Sequence, residues 1–379
     1  MDYERVIEEL CDAALHPEKT VETTKFITGK ELVGCFPIKT PEEIVYAAGC
    51  IPVGMWGGRT DISLADRYLQ SFCCSIMRTN LEFAMRGIYQ DLKAVIIPTF
   101  CDTMKCMVEN WKLALPDIPT IALAYPQNRR LKVGIDYTVS ELKRVRHELE
   151  VALGRLITTE AIEQAFAVYE EYRHTMRRFV LAAAKHPQII TCKRRHLIIK
   201  AGEFMDKACY MDKVNAVIAG LEQEHVYEYK GIKVVATGIL PEPVEILELF
   251  DENNIAIVGD DFALGSRKWR TESRDDIEDV FLKMAMTVAD QEGDTFFYDP
   301  DKKKGQMIIE SIRNNKADAA VVMMMKFCDP EEYDYPILRE ELIKEGIPEL
   351  YIEFDQQLTS FEQIRTRIQS FAEMIEMRK

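Results

Sequence analysis

Short apolar runs and longer amphipathic stretches alternate along the chain. Val33-Gly34-Cys35-Phe36-Pro37-Ile38 is a run of strand type, and Thr40-Pro41-Glu42-Glu43 behind it has the composition of a helix start. Thr40 is expected to cap free N–H groups, Pro41 has its φ preset for the first helical position, and the two glutamates suit the positive end of the helix dipole. That helix carries Ile44, Val45 and Ala48 and should stop at Gly49. Strands are expected at 51–56, 94–100 and 120–125, with helices between them. From about 136 to 225 no strand pattern appears. Thr159 is expected to cap a long helix there, because Ile162, Phe166, Tyr169, Tyr172, Met176 and Phe179 advance by three or four residues and form one apolar stripe.

The pattern then begins again. A strand at 232–240 is followed by a helix start at Pro241-Glu242-Pro243-Val244-Glu245, a helix end at Asn253-Asn254, and a strand at 255–258. The correspondence extends to particular residues. Ala94-Val95 runs into Phe100-Cys101-Asp102, and Ala320-Val321 runs into Phe327-Cys328-Asp329. Both are continuous apolar runs, as expected of strands covered on both faces of a parallel sheet. The order of elements predicts an α/β fold with two similar doubly wound parallel-sheet domains, 1–135 and 226–379, joined by a helical bridge over 136–225.

The chain has 379 residues and a net charge of −15, which argues against a nucleic-acid partner. The densest basic run, Lys193-Arg194-Arg195 with His196, is expected to be a solvated patch at a helix end. No apolar stretch approaches the ~20 residues that span a bilayer. The first fifteen residues form an acidic amphipathic pattern rather than a basic leader with an apolar core. A cytoplasmic protein with reduced thiols and no membrane partner is therefore expected.

The ten cysteines then need an explanation other than disulfides. Cys11, Cys50, Cys192 and Cys209 are expected to be buried and inert. Cys101 and Cys328 differ, because the strand pattern puts both at carboxyl ends of parallel strands, where ligands bind in open α/β sheets. Cys101 and Cys106 have C-x4-C spacing, a weak signal alone, and no C-x2-C pair occurs. Cys73 and Cys74 are adjacent, so their side chains should diverge and only one is expected to face a given site. The chain lacks a P-loop, a G-x-G-x-x-G fingerprint and a G-x-S-x-G elbow. None of the six histidines is a candidate base. Asp260-Asp261 are expected to cap a helix, with a cation or a ligand hydroxyl as the alternative, and Arg267, Lys268 and Arg270 either to be solvated or to meet a carboxylate or phosphate.

Several further stretches now matter: Gly34-Cys35-Phe36-Pro37, Trp56-Gly57-Gly58, Phe72-Cys73-Cys74-Ser75-Ile76-Met77, Cys101-Asp102-Thr103, Tyr125-Pro126-Gln127-Asn128-Arg129, and the run from Met325 through Cys328-Asp329-Pro330-Glu331-Glu332 to Pro336. Together they resemble, over nearly the whole chain, the β subunit of (R)-2-hydroxyacyl-CoA dehydratases, in a superfamily that also contains benzoyl-CoA reductase subunits. The resemblance implies an anaerobic hydro-lyase working as a heterodimer in which each subunit holds a [4Fe–4S] cluster. It places this chain's cluster-binding cysteines at Cys74, Cys101 and Cys328. Cys73 stands where a residue other than cysteine is expected, which leaves the choice between Cys73 and Cys74 open. Cys106 is a candidate nearby thiol, and Cys35 is left outside the ligand set.

The implied chemistry is the loss of water from a 2-hydroxyacyl-CoA to give a 2-enoyl-CoA, as in amino-acid fermentation. One electron added to the thioester gives a ketyl radical anion that expels the 2-hydroxyl. A separate ATP-hydrolysing iron–sulfur activator injects that electron, this chain relays it, and a larger homologous α subunit binds the acyl-CoA. Met323-Met324-Met325 beside Cys328 is expected to pack in the core, with a soft wall for the cluster as the alternative. The acyl group, whether glutaryl, isocaproyl, lactoyl or phenyllactoyl, is left open.

Overall fold

Both expected sheets are present, and they are wound identically. The computed structural model describes residues 2–378. After α1 (Tyr3–Leu15) and α2 (Pro17–Thr28), the first sheet is built from β1 (Glu31–Cys35), α3 (Glu42–Ala47), β2 (Cys50–Gly54), α4 (Ser75–Met85), β3 (Leu92–Pro98), α5 (Asp102–Ala114) and β4 (Thr120–Leu123). Helices α6 (Lys132–Leu153), α7 (Thr159–Lys185), α8 (Cys192–Ala201) and α9 (Lys207–Leu221) follow without a strand. The second sheet comprises β5 (Ile232–Gly238), α10 (Glu245–Glu252), β6 (Ile255–Phe262), α11 (Val280–Ala289), α12 (Lys304–Asn314), β7 (Ala319–Met325), α13 (Asp329–Lys344) and β8 (Glu349–Phe354), closed by α14 (Glu362–Glu376). The strand orders are β2-β1-β3-β4 and β6-β5-β7-β8, and every pairing is parallel. Among the described residues, no helix is long and apolar enough to cross a membrane.

One face of each sheet contributes to a single core. Val95 and Ile97 of β3 and Val321, Met323 and Met325 of β7 belong to it, together with Tyr169, Tyr172, Met176 and Phe179 of α7. The opposite faces are covered separately. Val33, Ala94 and Ile96 pack with α6, α11 and the start of α7, whereas Ala320, Val322 and Met324 pack with α12 and α13. The apolar stripe of α7 is buried over its whole length. It therefore links the shared core to the outer face of the first sheet.

Local expectations fail where a side chain finds a partner outside its own segment. The Thr40 hydroxyl donates to the Phe36 carbonyl at 2.7 Å, so it does not cap α3, and Pro41 takes the cap position. Thr158 rather than Thr159 caps α7, accepting from the Ala161 amide at 3.1 Å. β6 extends to Phe262, so Asp260 and Asp261 lie inside a strand and cap no helix. The run from Lys193 to His196 is not a solvated patch. Arg195 is buried against Asp260, and His196 is buried with Nε2 3.0 Å from Glu242.

Glu242 opposes acid unfolding. Burial disfavours its ionisation, but the Lys200 charge and the His196 contact outweigh burial and hold the carboxyl at about 2. A depressed carboxylate stabilises the fold fully above the unfolded value, and that contribution disappears as pH falls through the folded value. Glu242→Gln should therefore lower Tm at pH 7, by an amount equivalent to about 3 kcal/mol at ~1.4 kcal/mol per pH unit. The difference from the wild type should shrink as pH falls from about 4.5 toward 2. A pH-independent Tm difference between the two proteins would contradict this.

Candidate metal centre

The carboxyl ends of β3 and β7 place Cys101 and Cys328 at equivalent structural positions, and a long loop after β2 brings Cys74 to the head of α4. Cys74 heads α4, Cys101 heads α5 and Cys328 heads α13, each as the residue immediately before the first helical turn. The turns that present them are held by the sheets. Thr99 donates its amide to the Leu123 carbonyl at 2.8 Å, which fixes the exit from β3, and Lys326 donates to the Phe354 carbonyl at 2.8 Å, which fixes the exit from β7. Phe327 has a left-handed backbone, φ 63°, and turns the chain so that Cys328 can start α13. Pro330, in the first turn, favours that start because its φ is already helical.

All three cysteines line one cavity of about 500 Å3 of atom-free space, mouth included. Its walls are mainly apolar, with Ile38 and Met77 from the first half and Ile239, Phe296 and Met325 from the second. Gly238 at the end of β5 has φ 149°, and a Cβ there would lie 2.2 Å from the Met323 carbonyl oxygen. Glycine thus permits the close approach of β5 to β7 beside the cavity. The halves are also joined here by polar contacts. The Ser75 hydroxyl donates to Met325 Sδ at 3.0 Å and accepts from the Gln356 amide at 3.2 Å, and Gln356 Nε2 donates to the Trp56 carbonyl at 3.0 Å.

Burial pushes all three thiols above the ordinary thiol range, Cys74 to about 12. The sulfurs reinforce one another, since the neighbouring Cys101 raises Cys74, and Cys74 and Cys101 raise Cys328. Backbone amides work in the opposite direction: Met77 for Cys74, Met104 and Thr103 for Cys101, and Glu331 for Cys328. None of these contacts is a closed capping hydrogen bond. The N–H groups nevertheless face sites where negative charge would sit. A thiol donor set, apolar walls and amides directed at the sulfurs suit a thiolate-bound inorganic centre, because ligation deprotonates a thiol outright. Among the described residues, no three His, Cys, Asp or Glu side chains converge closely enough to hold one metal ion.

The remaining cysteines lie elsewhere. Cys73 is buried in the shared core, with Sγ 3.9 Å from Gln70 Oε1, while Cys74 faces the cavity. Cys106 is exposed on α5, and Cys35 lines a separate cavity with Glu42, Tyr169 and Lys268. Cys50 and Cys192 are buried as expected, whereas Cys209 is exposed and Cys11 half-buried. Of the three methionines beside Cys328, Met325 lines the cavity, and Met323 and Met324 fill the cores on opposite faces of β7.

The sequence offered a carboxylate as one partner for Arg267 but neither its burial nor the ions it meets behind α13. Arg267 is fully enclosed and pairs with Asp261 at 2.7 Å and Glu331 at 2.6 Å. Lys39 pairs with Asp294 at 3.4 Å, and burial, only partly offset by Asp294, pulls its ammonium down to about 8. A short charge run such as Arg267-Lys268 gives no sign of burial, because the partners lie on other elements.

Comparison with known proteins finds relatives over almost the whole chain. The (R)-phenyllactyl-CoA dehydratase beta subunit of Clostridium sporogenes is 39% identical over 372 residues, covering 98% of this chain and 99% of its own. The lactoyl-CoA dehydratase subunit beta of Anaerotignum propionicum is 43% identical over 374 residues, with 98% and 99% covered. The (R)-2-hydroxyglutaryl-CoA dehydratase subunit beta of Acidaminococcus fermentans is 34% identical over 376 residues, again with 98% and 99% covered. Residues 37–375 match the family model described as 2-hydroxyglutaryl-CoA dehydratase, D-component, and the chain belongs to that family.

Proposed function

We propose that this chain binds a [4Fe–4S] cluster through Cys74, Cys101 and Cys328 and is the electron-relaying subunit of a cytoplasmic (R)-2-hydroxyacyl-CoA dehydratase. The observation that carries the reading is the convergence of three sequence-distant thiols, contributed by both sheets and each heading a helix, on one apolar cavity. In a multinuclear cluster each thiolate takes its own iron, so the thiols need to surround a space rather than meet at a point. When bound, such a cluster supplies one-electron chemistry, which the loss of water across an unactivated β-C–H bond of a thioester requires.

The protein's own groups set the conditions for that centre. The three cysteines hold it, and the helix-terminal amides stabilise its negative charge. Ile38, Met77, Ile239 and Phe296 keep water away, and their apolar surface lowers the reduction potential while the amides facing the sulfurs raise it. Three relatives at 34–43% identity are named as beta subunits of dehydratases, which supports a larger homologous α subunit as partner and an acyl-CoA as substrate. An ATP-hydrolysing iron–sulfur activator supplies the electron, in keeping with the lack of a P-loop in this sequence.

Purified without oxygen, the chain should carry about four iron and four sulfide. Cys101→Ser and Cys328→Ser should each reduce that content sharply. Iron loading should protect Cys74, Cys101 and Cys328 from alkylation while Cys106 and Cys209 still react. An iron-free wild type in the presence of its partner, or full iron content in both serine variants, would overturn the assignment.

The second test uses the reconstituted complex with activator, ATP, reductant and a panel of lactoyl, phenyllactoyl, 2-hydroxyisocaproyl and 2-hydroxyglutaryl thioesters. Formation of a 2-enoyl-CoA from at least one is expected. Reduction of an aryl-CoA ring without dehydration of any panel member would move the chain to the benzoyl-CoA reductase side of the superfamily.

A further inference from the structure

Glu331 is the third residue of α13 and lies one turn beyond Cys328. It does not line the cavity. Its backbone amide faces the Cys328 sulfur, while its side chain points into the second half of the protein. There it accepts from Arg267 Nη1 at 2.6 Å, Lys304 Nζ at 2.5 Å and Thr295 Oγ1 at 3.0 Å. Arg267 is in turn gripped by Asp261 of β6 through two contacts, Nε–Oδ1 at 3.2 Å and Nη2–Oδ2 at 2.7 Å. Asp261 also accepts from Thr237 of β5 at 2.9 Å and from Arg270. The first turn of α13 is thus tied to β5, β6 and α12 through ions that are almost completely enclosed.

Burying such a network brings little net stability compared with an apolar core of the same volume. Its particular property is geometry, since a carboxylate held by an arginine and a lysine has little freedom to move. A ligand sulfur at the head of a helix moves with that helix's first turn. The geometry points to Glu331 as a positioning residue for Cys328: its anchored side chain fixes the first turn of α13 so that the Cys328 sulfur and the Glu331 amide keep their orientation toward the centre. This inference rests on the cluster reading above and adds to it a residue whose side chain lies outside the cavity lining.

The test uses the full chain, purified without oxygen and loaded with its cluster. Three quantities are measured: the rate at which an iron chelator bleaches the cluster, the reduction potential, and Tm. In Glu331→Ala the bleaching rate should rise about ten-fold, the usual scale for losing a partner that orients a metal ligand. Glu331→Gln keeps the volume and one acceptor oxygen for Arg267. It should restore most of the retention while the potential shifts upward, because one buried negative charge is gone. Glu43→Ala breaks another buried pair, Glu43–Arg173 at 2.8 Å, away from the cavity. It serves as the control for general destabilisation, and should lower Tm with bleaching rate and potential unchanged.

Wild-type bleaching and potential in Glu331→Ala would overturn the inference, as would an equal rise in bleaching in Glu43→Ala. If Glu331→Ala fails to fold, Glu331→Asp decides, because it keeps the charge but draws the carboxylate back from Arg267 and Lys304: a wild-type bleaching rate there overturns the inference. Failure of the underlying reading looks different, since it appears as an iron-free wild type or as full iron in Cys328→Ser, before any Glu331 variant is made.

Discussion

A helix that starts directly after a parallel strand has its first N–H groups unpaired, and they point back toward the sheet edge. This constraint underlies the placing of Cys101 and Cys328, while Cys74 reaches the same cavity at the head of α4 after a loop of about twenty residues from β2. Parallel pairing puts all such starts in one half on the same edge, and the identical strand order of the two halves gives each an equivalent edge. Where the edges meet, Cys74, Cys101 and Cys328 stand at the heads of their helices. The magnitudes show what this does and does not achieve. A helix terminus favours a nearby anion by about 0.3–1 kcal/mol. Burial that pushes Cys74 to about 12 makes its ionisation costlier by roughly 4 kcal/mol. Helix ends alone therefore leave the thiols protonated, and the charge of a bound metal centre is needed to convert them to thiolates.

The shared core and the buried ions have different roles. Apolar contacts from α7, β3 and β7 hold the two sheets together without fixing any single side chain to a particular direction. Direction comes from the polar ties, Ser75 to Met325 and Gln356 at the cavity, and Arg267 between Asp261 and Glu331 behind it. Each is satisfied only in one geometry, which an array of methyl groups does not demand.

Much of this could be read from the sequence, and the limits have physical causes. Continuous apolar runs ending in Phe-Cys-Asp marked the two equivalent strand exits, because parallel strands are covered on both faces and the following turn has little freedom. The stripe of α7 was visible for a similar reason, since helical periodicity is local. Asp260, Asp261, Arg195 and Glu331 were misread or passed over, and Arg267 gave no sign of its burial. A charged residue is locally the same whether its partner is water or an ion tens of residues away, and all of these are paired with residues on other elements. Thr40 shows the same limit at short range, where the Phe36 carbonyl took the hydroxyl that would have capped α3. The resemblance favoured Cys74 and left Cys73 in question, and the backbone direction entering α4 turns Cys73 toward the core and Cys74 toward the cavity.

Cys101 and Cys328 belong to different sheets. A centre bound to both is a crosslink that closes a chain loop of roughly 230 residues, and restricting a loop of that length in the unfolded chain is worth on the order of 5 kcal/mol. Under the proposed function, loss of the centre to air would remove this restraint along with the electron relay. The damaged protein would open more readily between its halves, and proteases would find it before intact copies.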